Sequence, residues 1–387
     1  MAKTPKADKQ EQSNVKPSRR NMLRTTALGV GVAAIAACGN GQAASDGPAA
    51  PAVKRSKKRF TMVTSWPKNL PGLGTAADRV AERIGELSEG SLEVKVFAAG
   101  ELVPALECFD TVAGGGADMY HAAEYYWQGK SAAFSFFTAV PMGMTAYEMM
   151  GWADFGGGQA LWEELSGQFG VIAFQGANTG HQMGGWFRQE INSIDDFRGL
   201  TMRIPGLAGE VVRELGGASE TLPGGEIYQA LQMGRIDATE WVGPWNDLAL
   251  GFYREAPYYY GPGFHEPGAS LAVGFNRAKW DSLTDWEQKL IRTACAECNN
   301  LSLGEFTYFN AEALQTLKTE HGVELRNFPD DVMTRVNEIS LDVRSKAGSG
   351  GDLERRIYES FEANLKSMSE WGAISDGPYY AARRLGG

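Results

Sequence analysis

A strand, a helix and a second strand follow one another where the folded part of this 387-residue chain begins, and that order restricts its architecture more than any other feature. Phe60-Thr61-Met62-Val63-Thr64-Ser65-Trp66 is rich in β-branched and aromatic residues and is stopped by Pro67. Val80, Ile84 and Leu87 then recur at i, i+4 and i+7, the spacing of one helix face. Leu92-Glu93-Val94-Lys95-Val96-Phe97 alternates as a half-buried strand does. Two strands joined through a helix pair in parallel, which places the chain in the α/β class.

The same grammar continues. A helix over about Pro104–Ala113 leads through three glycines to Ala117-Asp118-Met119-Tyr120. Val171–Phe174 reads as a strand, and Gly184–Phe187 leads into another. Ser193–Phe197 is a turn or short helix, and Thr201–Pro205 is a strand that its proline ends. Helices are expected over Gly209–Leu215 and Glu226–Met233, and a strand over Asp237–Trp241. Beyond Ser282 helical patterns dominate: Trp286–Phe309, Phe309–Glu320, Pro329–Lys346 and Leu353–Glu370.

The first 37 residues read as a leader. Ser18-Arg19-Arg20-Asn21-Met22-Leu23-Arg24 is a twin-arginine pattern, followed by 13 small and apolar residues, Thr25–Ala37. A run of that length falls short of the ~20 residues that span a bilayer and fits a signal-peptide core. Ile35-Ala36-Ala37-Cys38 resembles a lipobox, so Cys38 is the expected site of lipidation after twin-arginine export. Residues 38–58, rich in Gly, Ala, Ser and Pro before a short basic stretch, would form a flexible tether. Removing the leader takes away seven basic and two acidic residues, leaving 30 Lys+Arg against 45 Asp+Glu and a net charge of −15. Such a surface repels nucleic acid and anionic lipid. The remaining length is enough for two domains.

Several chemistries find no support. Cys295-x-x-Cys298 lies in a helical stretch without the setting of a redox motif or a second ligand pair for zinc. Gly72-x-Gly74-x-x-Ala77 matches a dinucleotide fingerprint, but Pro67-Lys68-Asn69-Leu70-Pro71 separates it from the strand, so the helix would not open directly off the strand end. His121, His181, His265 and His321 form no metal or catalytic spacing. No catalytic residue is expected.

Arg203 is the informative cation. It sits at the end of a short apolar strand, pointing away from Met202 and Ile204, and its planar fork matches the two oxygens of a carboxylate. A salt bridge to a neighbouring acid would use it equally well, and local sequence leaves both open. Glu240 and the backbone carbonyl of Trp241 could supply hard oxygen ligands to a cation, and Gln182 an amide oxygen. A solvated acid, a core tryptophan and a turn glutamine are the alternatives.

Three ordered segments narrow this. Phe197-Arg198-Gly199-Leu200-Thr201-Met202-Arg203-Ile204-Pro205-Gly206, followed by Tyr228-Gln229-Ala230-Leu231-Gln232-Met233-Gly234-Arg235-Ile236-Asp237-Ala238, resembles the solute-binding subunits of TRAP (tripartite ATP-independent periplasmic) transporters. Asn178–Phe187, Leu222–Tyr228 and Glu240–Pro244 look like the branch that binds 2-oxoacids with a metal ion. The resemblance implies a two-lobed periplasmic binding protein fold with a hinge, a long helix spanning both lobes and a helical C-terminal part. The first lobe would take residues 59–180 with parts of 267–330, the second 181–266, and residues 330–387 would brace both. It also implies roles. Arg203 would clamp the substrate carboxylate. Gln182, Glu240 and Trp241 would hold sodium or calcium, with Gln182 and Trp241 also touching substrate. Tyr126, in Glu124–Lys130, would line the cleft. The implied function is capture of a small organic acid for TRAP membrane subunits, with a homodimer through the C-terminal helices as a further expectation. An exported enzyme and a periplasmic ligand sensor are the alternatives.

Overall fold

The computed structural model describes residues 56–386; the twin-arginine leader, Cys38 and most of the tether lie outside them. Strand β1 (Lys58–Thr64), helix α1 (Gly74–Leu87) and strand β2 (Leu92–Phe97) form the expected unit, the strands parallel from Lys58 opposite Leu92 to Val63 opposite Phe97. Helix α2 (Cys108–Ala113) starts later than its expected Pro104. The Ala105 carbonyl is committed instead to the Ser65 hydroxyl at 2.6 Å and the Cys108 thiol at 3.4 Å, which ties this backbone to the end of β1. Strand β3 (Met119–Ala122) then pairs parallel to β1. Helices α3 (Ala146–Asp154) and α4 (Gly158–Gly167) lead to strand β4 (Val171–Asn178).

The chain now leaves for a second sheet. It builds β5 (Gly185–Phe187), β6 (Thr201–Arg203), α5 (Ala208–Glu214), β7 (Ala218–Glu220), α6 (Gly224–Gln232), β8 (Ala238–Thr239), α7 (Pro244–Leu250) and β9 (Tyr258–Gly261). Strand β8 keeps two residues of the five expected, because Glu240 already turns toward Arg203. The chain returns through β10 (Ser270–Asn276), which inserts antiparallel between β3 and β4 and gives the first sheet the order β2-β1-β3-β10-β4. Insertion there suits a strand buried over six of seven residues. It needs Gly274, where a Cβ would stand 2.1 Å from the Tyr120 ring.

Helix α8 (Arg277–Asp281) precedes α9 (Asp285–Thr319), one 35-residue helix where the sequence pattern suggested two that meet at Phe309. Nothing breaks it: no proline interrupts the segment, and Thr284 and Glu287 form a capping box at its start. Its N-terminal half packs on the first sheet. There Ile291, Cys295 and Cys298 join Phe60, Val80 and Ile84 in one core, and Arg83 and Arg79 of α1 pair with Glu297 and Glu305. The two cysteines are packed residues, and burial pushes the Cys298 thiol up to about 11. Further along, Phe306 and Phe309 meet Trp245, and Asn310 accepts the Trp245 amide at 3.0 Å. Gly72 closes this junction. A Cβ there would meet Phe306 at 2.5 Å and Trp245 at 2.8 Å, so this glycine serves packing rather than a phosphate.

Strand β11 (Glu324–Asn327) pairs with β9, giving the second sheet the order β11-β9-β5-β8-β6-β7. Helices α10 (Asp330–Ala347), α11 (Asp352–Gly372) and α12 (Asp376–Arg383) end the chain. Arg344 of α10 donates to the Pro141 carbonyl at 2.8 Å and to Glu362 of α11 at 2.7 Å, while Lys346 reaches Glu214 of α5. Helix α10 thus touches elements on both sides. No helix among the described residues is long and apolar enough to cross a membrane.

Candidate functional site

Pairing of β6 with β8 sets Arg203 opposite Thr239, and the Glu240 amide donates to the Arg203 carbonyl at 3.2 Å. Alternation along β6 sends Met202 into a hydrophobic core and Arg203 to the other face. Arg203 is nonetheless only 1 % exposed. Its Nη1 donates to the Glu240 carboxylate and, at 3.2 Å, to the Glu240 carbonyl; its Nε donates to the Leu222 carbonyl at 3.1 Å. The guanidinium lies 5.0 Å from the Trp241 ring. Its Nη2 is buried and has no hydrogen-bond acceptor among the described residues. Burial works against the charge, but Glu240 above all holds the Arg203 pKa above its ordinary value.

Two segments that cross between the sheets supply the other half. The Gln182 amide donates to the Glu266 carbonyl at 3.1 Å, and the Gly263 amide donates to the Gln182 carbonyl at 2.9 Å. This pairing sets the two side chains together: Gln182 Nε2 donates to Glu266 Oε2 at 2.7 Å and to Thr179 Oγ1 at 3.0 Å. Gln182 Oε1 is left buried without a partner among the described residues. His265 Nε2 lies 3.1 Å from Glu240 Oε2, so both oxygens of Glu240 are engaged. Burial lowers the His265 pKa, yet the Glu240 bond and charge outweigh it and the net shift is upward. Burial, then Glu240's charge, raises the Glu266 carboxyl.

Arg203, Glu240, Gln182, Trp241 and Tyr126 therefore converge, while Cys38 lies outside the described residues. Trp241 stands edge-on to Trp66 across the cleft at 6.3 Å. Tyr126 is half-buried, 6.3 Å from Trp66, and burial pushes its hydroxyl up to about 12 against the pull of Arg203. Sequence reasoning missed His265 and Glu266. They sit in Gly261-Pro262-Gly263-Phe264-His265-Glu266-Pro267-Gly268, which has no periodicity; the only signal was two adjacent titratable residues inside a Gly/Pro-rich loop.

The donor chemistry fits a hard cation. Donor atoms of Glu240, His265 and Glu266 lie within 4.8 Å of one another, all buried. Two carboxylates and the unpartnered Gln182 oxygen are the donor types that sodium or calcium takes. Beside them is a cavity of about 10 Å³, with Gln182 and Glu266 in its wall. The Asn246 side chain donates to the Pro71 carbonyl at 2.9 Å across the cleft, so the two sheets stand closed on each other.

The profile of the family described as "Bacterial extracellular solute-binding protein, family 7" matches residues 62–347. The monocarboxylate 2-oxoacid-binding periplasmic protein of Nostoc sp. is 39% identical over 361 residues, covering 93% of this chain and 97% of that protein. A TRAP periplasmic solute-binding protein from Colwellia psychrerythraea, solved with bound calcium and pyruvate, superposes with a TM-score of 0.82 at 37% identity, over 84% of this chain and 100% of that one. Another from Pseudoalteromonas atlantica, solved with sodium and pyruvate, gives 0.81 at 37% identity, over 84% and 99%.

Proposed function

Because the chain belongs to the bacterial extracellular solute-binding proteins of family 7, we propose that its cleft captures a small 2-oxoacid such as pyruvate with a sodium or calcium ion, for delivery to TRAP membrane subunits. It is a binding family rather than an enzyme family, and the fold is the two-sheet α/β periplasmic binding protein fold with the long helix α9 and a helical C-terminus. The observation that carries the proposal is the pair of buried unsatisfied atoms, Arg203 Nη2 and Gln182 Oε1, flanking two buried carboxylates. Orphaned buried polar groups are costly and mark places where a partner belongs.

In this reading Gln182, Glu240 and Glu266, with the Trp241 carbonyl, hold the cation, and His265 orients Glu240 through its ring nitrogen. The cation would supply positive charge to a carboxylate and a keto oxygen. Arg203 turns its free Nη2 to the same carboxylate, Trp241 supports the guanidinium, and Tyr126 closes the wall. Closure removes water and strengthens each of these contacts. Residues 59–180 with parts of 267–330 form one lobe and 181–266 the other, braced by the C-terminal helices. Cys38 carries a lipid anchor after twin-arginine export; palmitate labelling lost in Cys38→Ser would support this, and retained labelling would sink it. Exposed Trp371, Ile374, Tyr379 and Tyr380 give α11 and α12 an apolar face suited to a homodimer. Sedimentation of Trp371→Glu beside the native protein tests that face.

Calorimetric titration of chelated protein with pyruvate, with and without added sodium or calcium, tests the central reading. Saturation at about one hundred times Kd should stabilise the fold by about 2.7 kcal/mol. Absence of binding by any 2-oxoacid with either ion would overturn it.

A further inference from the structure

The cavity beside the carboxylates is lined by polar and apolar side chains. Gln182, Thr179 and Glu266 are its polar residues beside the two tyrosines, and Leu73, Val242, Leu271 and the two tryptophans supply apolar surface. If carboxylate and keto oxygens face the polar residues, the apolar ones are left for the carbon chain.

Trp66 is one of two tryptophans in the wall, with Trp241, and it is 2 % exposed. Its indole N–H donates to His121 Nδ1 at 2.7 Å, and its amide donates to Thr64 Oγ1 at 3.1 Å. His121 cannot yield, because it lies on β3 with Thr64 of β1 opposite it on one side and Val273 of β10 on the other. Burial drives its pKa down to about 3, so the ring stays neutral and Nδ1 remains an acceptor. The front edge of the indole meets Trp241 of the second sheet at 81°. The wall is therefore completed by closure itself.

We propose that Trp66, positioned by His121, limits the acyl chain that the closed cleft accepts, so that the protein selects the shortest 2-oxoacids over longer homologues. The proposal rests on the 2-oxoacid reading above. A chain that reaches the indole must either push it off His121 or hold Trp66 and Trp241 apart, and both leave the cleft incompletely closed.

Titration with pyruvate, 2-oxobutanoate and 2-oxopentanoate in the presence of calcium tests this. For the native protein Kd should rise about tenfold or more per added methylene. In Trp66→Ala the Kd ratio of 2-oxopentanoate to pyruvate should fall at least tenfold; where that variant fails to fold, Trp66→Phe, which trims the ring, is read the same way. His121→Leu should narrow the ratio and His121→Gln, which keeps an acceptor, should preserve it. A folded Trp66 variant with the native ratio, or a native protein that binds all three acids alike, overturns this proposal while leaving 2-oxoacid capture intact. Binding of none of them overturns that underlying reading instead.

Discussion

Arg203 and Glu240 have side chains 1% exposed and are bonded to each other, so neither can be removed alone without leaving a charge in the interior. Arg203→Ala should therefore abolish carboxylate binding and also destabilise the fold by roughly 3–5 kcal/mol. The double variant Arg203→Met/Glu240→Gln should regain most of that stability in urea denaturation but no binding. Recovery of binding would remove Arg203 from the site. Glu124 supplies a separate pH signature. It is fully buried and bonded to the Tyr120 hydroxyl, and burial pushes its pKa from 4.5 to about 7. A carboxyl whose pKa is raised by folding contributes stability that is complete below about 4.5, declines as pH rises and is lost above about 7. The span corresponds to about 3 kcal/mol. Glu124→Gln should flatten the urea midpoint between those pH values and raise it above the native value at pH 8.

Among the elements, α9 depends on how it begins and on what it touches midway. Thr284→Ala removes its N-terminal cap, with an expected cost of about 1 kcal/mol in urea denaturation. Gly72→Ala should cost more, about 2–4 kcal/mol, since it adds left-handed strain at φ 72° to the clash with Phe306 and Trp245. Legible in the sequence were β1, α1, β2 and most of the C-terminal helices from their period, and β4, β5, β6, α5, α6 and part of β8 from residue types and the turns that bound them. Strand β7, of three residues, carries no period of its own and exists through its neighbours. Strand β10 was overlooked because burial on both faces removes alternation. In the site, Arg203 and Glu240 stood out from strand ends, whereas Glu266 meets Gln182 from 84 positions away, a distance no local pattern spans.

At the scale of the whole molecule, the Trp66–Trp241 edge contact and the Asn246–Pro71 hydrogen bond are among the contacts that cross the cleft. Asn246→Ala removes one of them, and stopped-flow release of pyruvate should quicken about three- to tenfold with little change in association rate. The single helix α9 adds a mechanical consequence. At 35 residues it is a rod of roughly 50 Å. Ion pairs with Arg79 and Arg83, together with sheet packing, fix its first half to the first sheet, while Phe306 and Leu317 share a core with Trp186, Phe252 and Tyr259 on the side of the second. A stiff rod anchored in both sheets acts as a strut, so any relative movement of the sheets has to be taken up where one of them meets it.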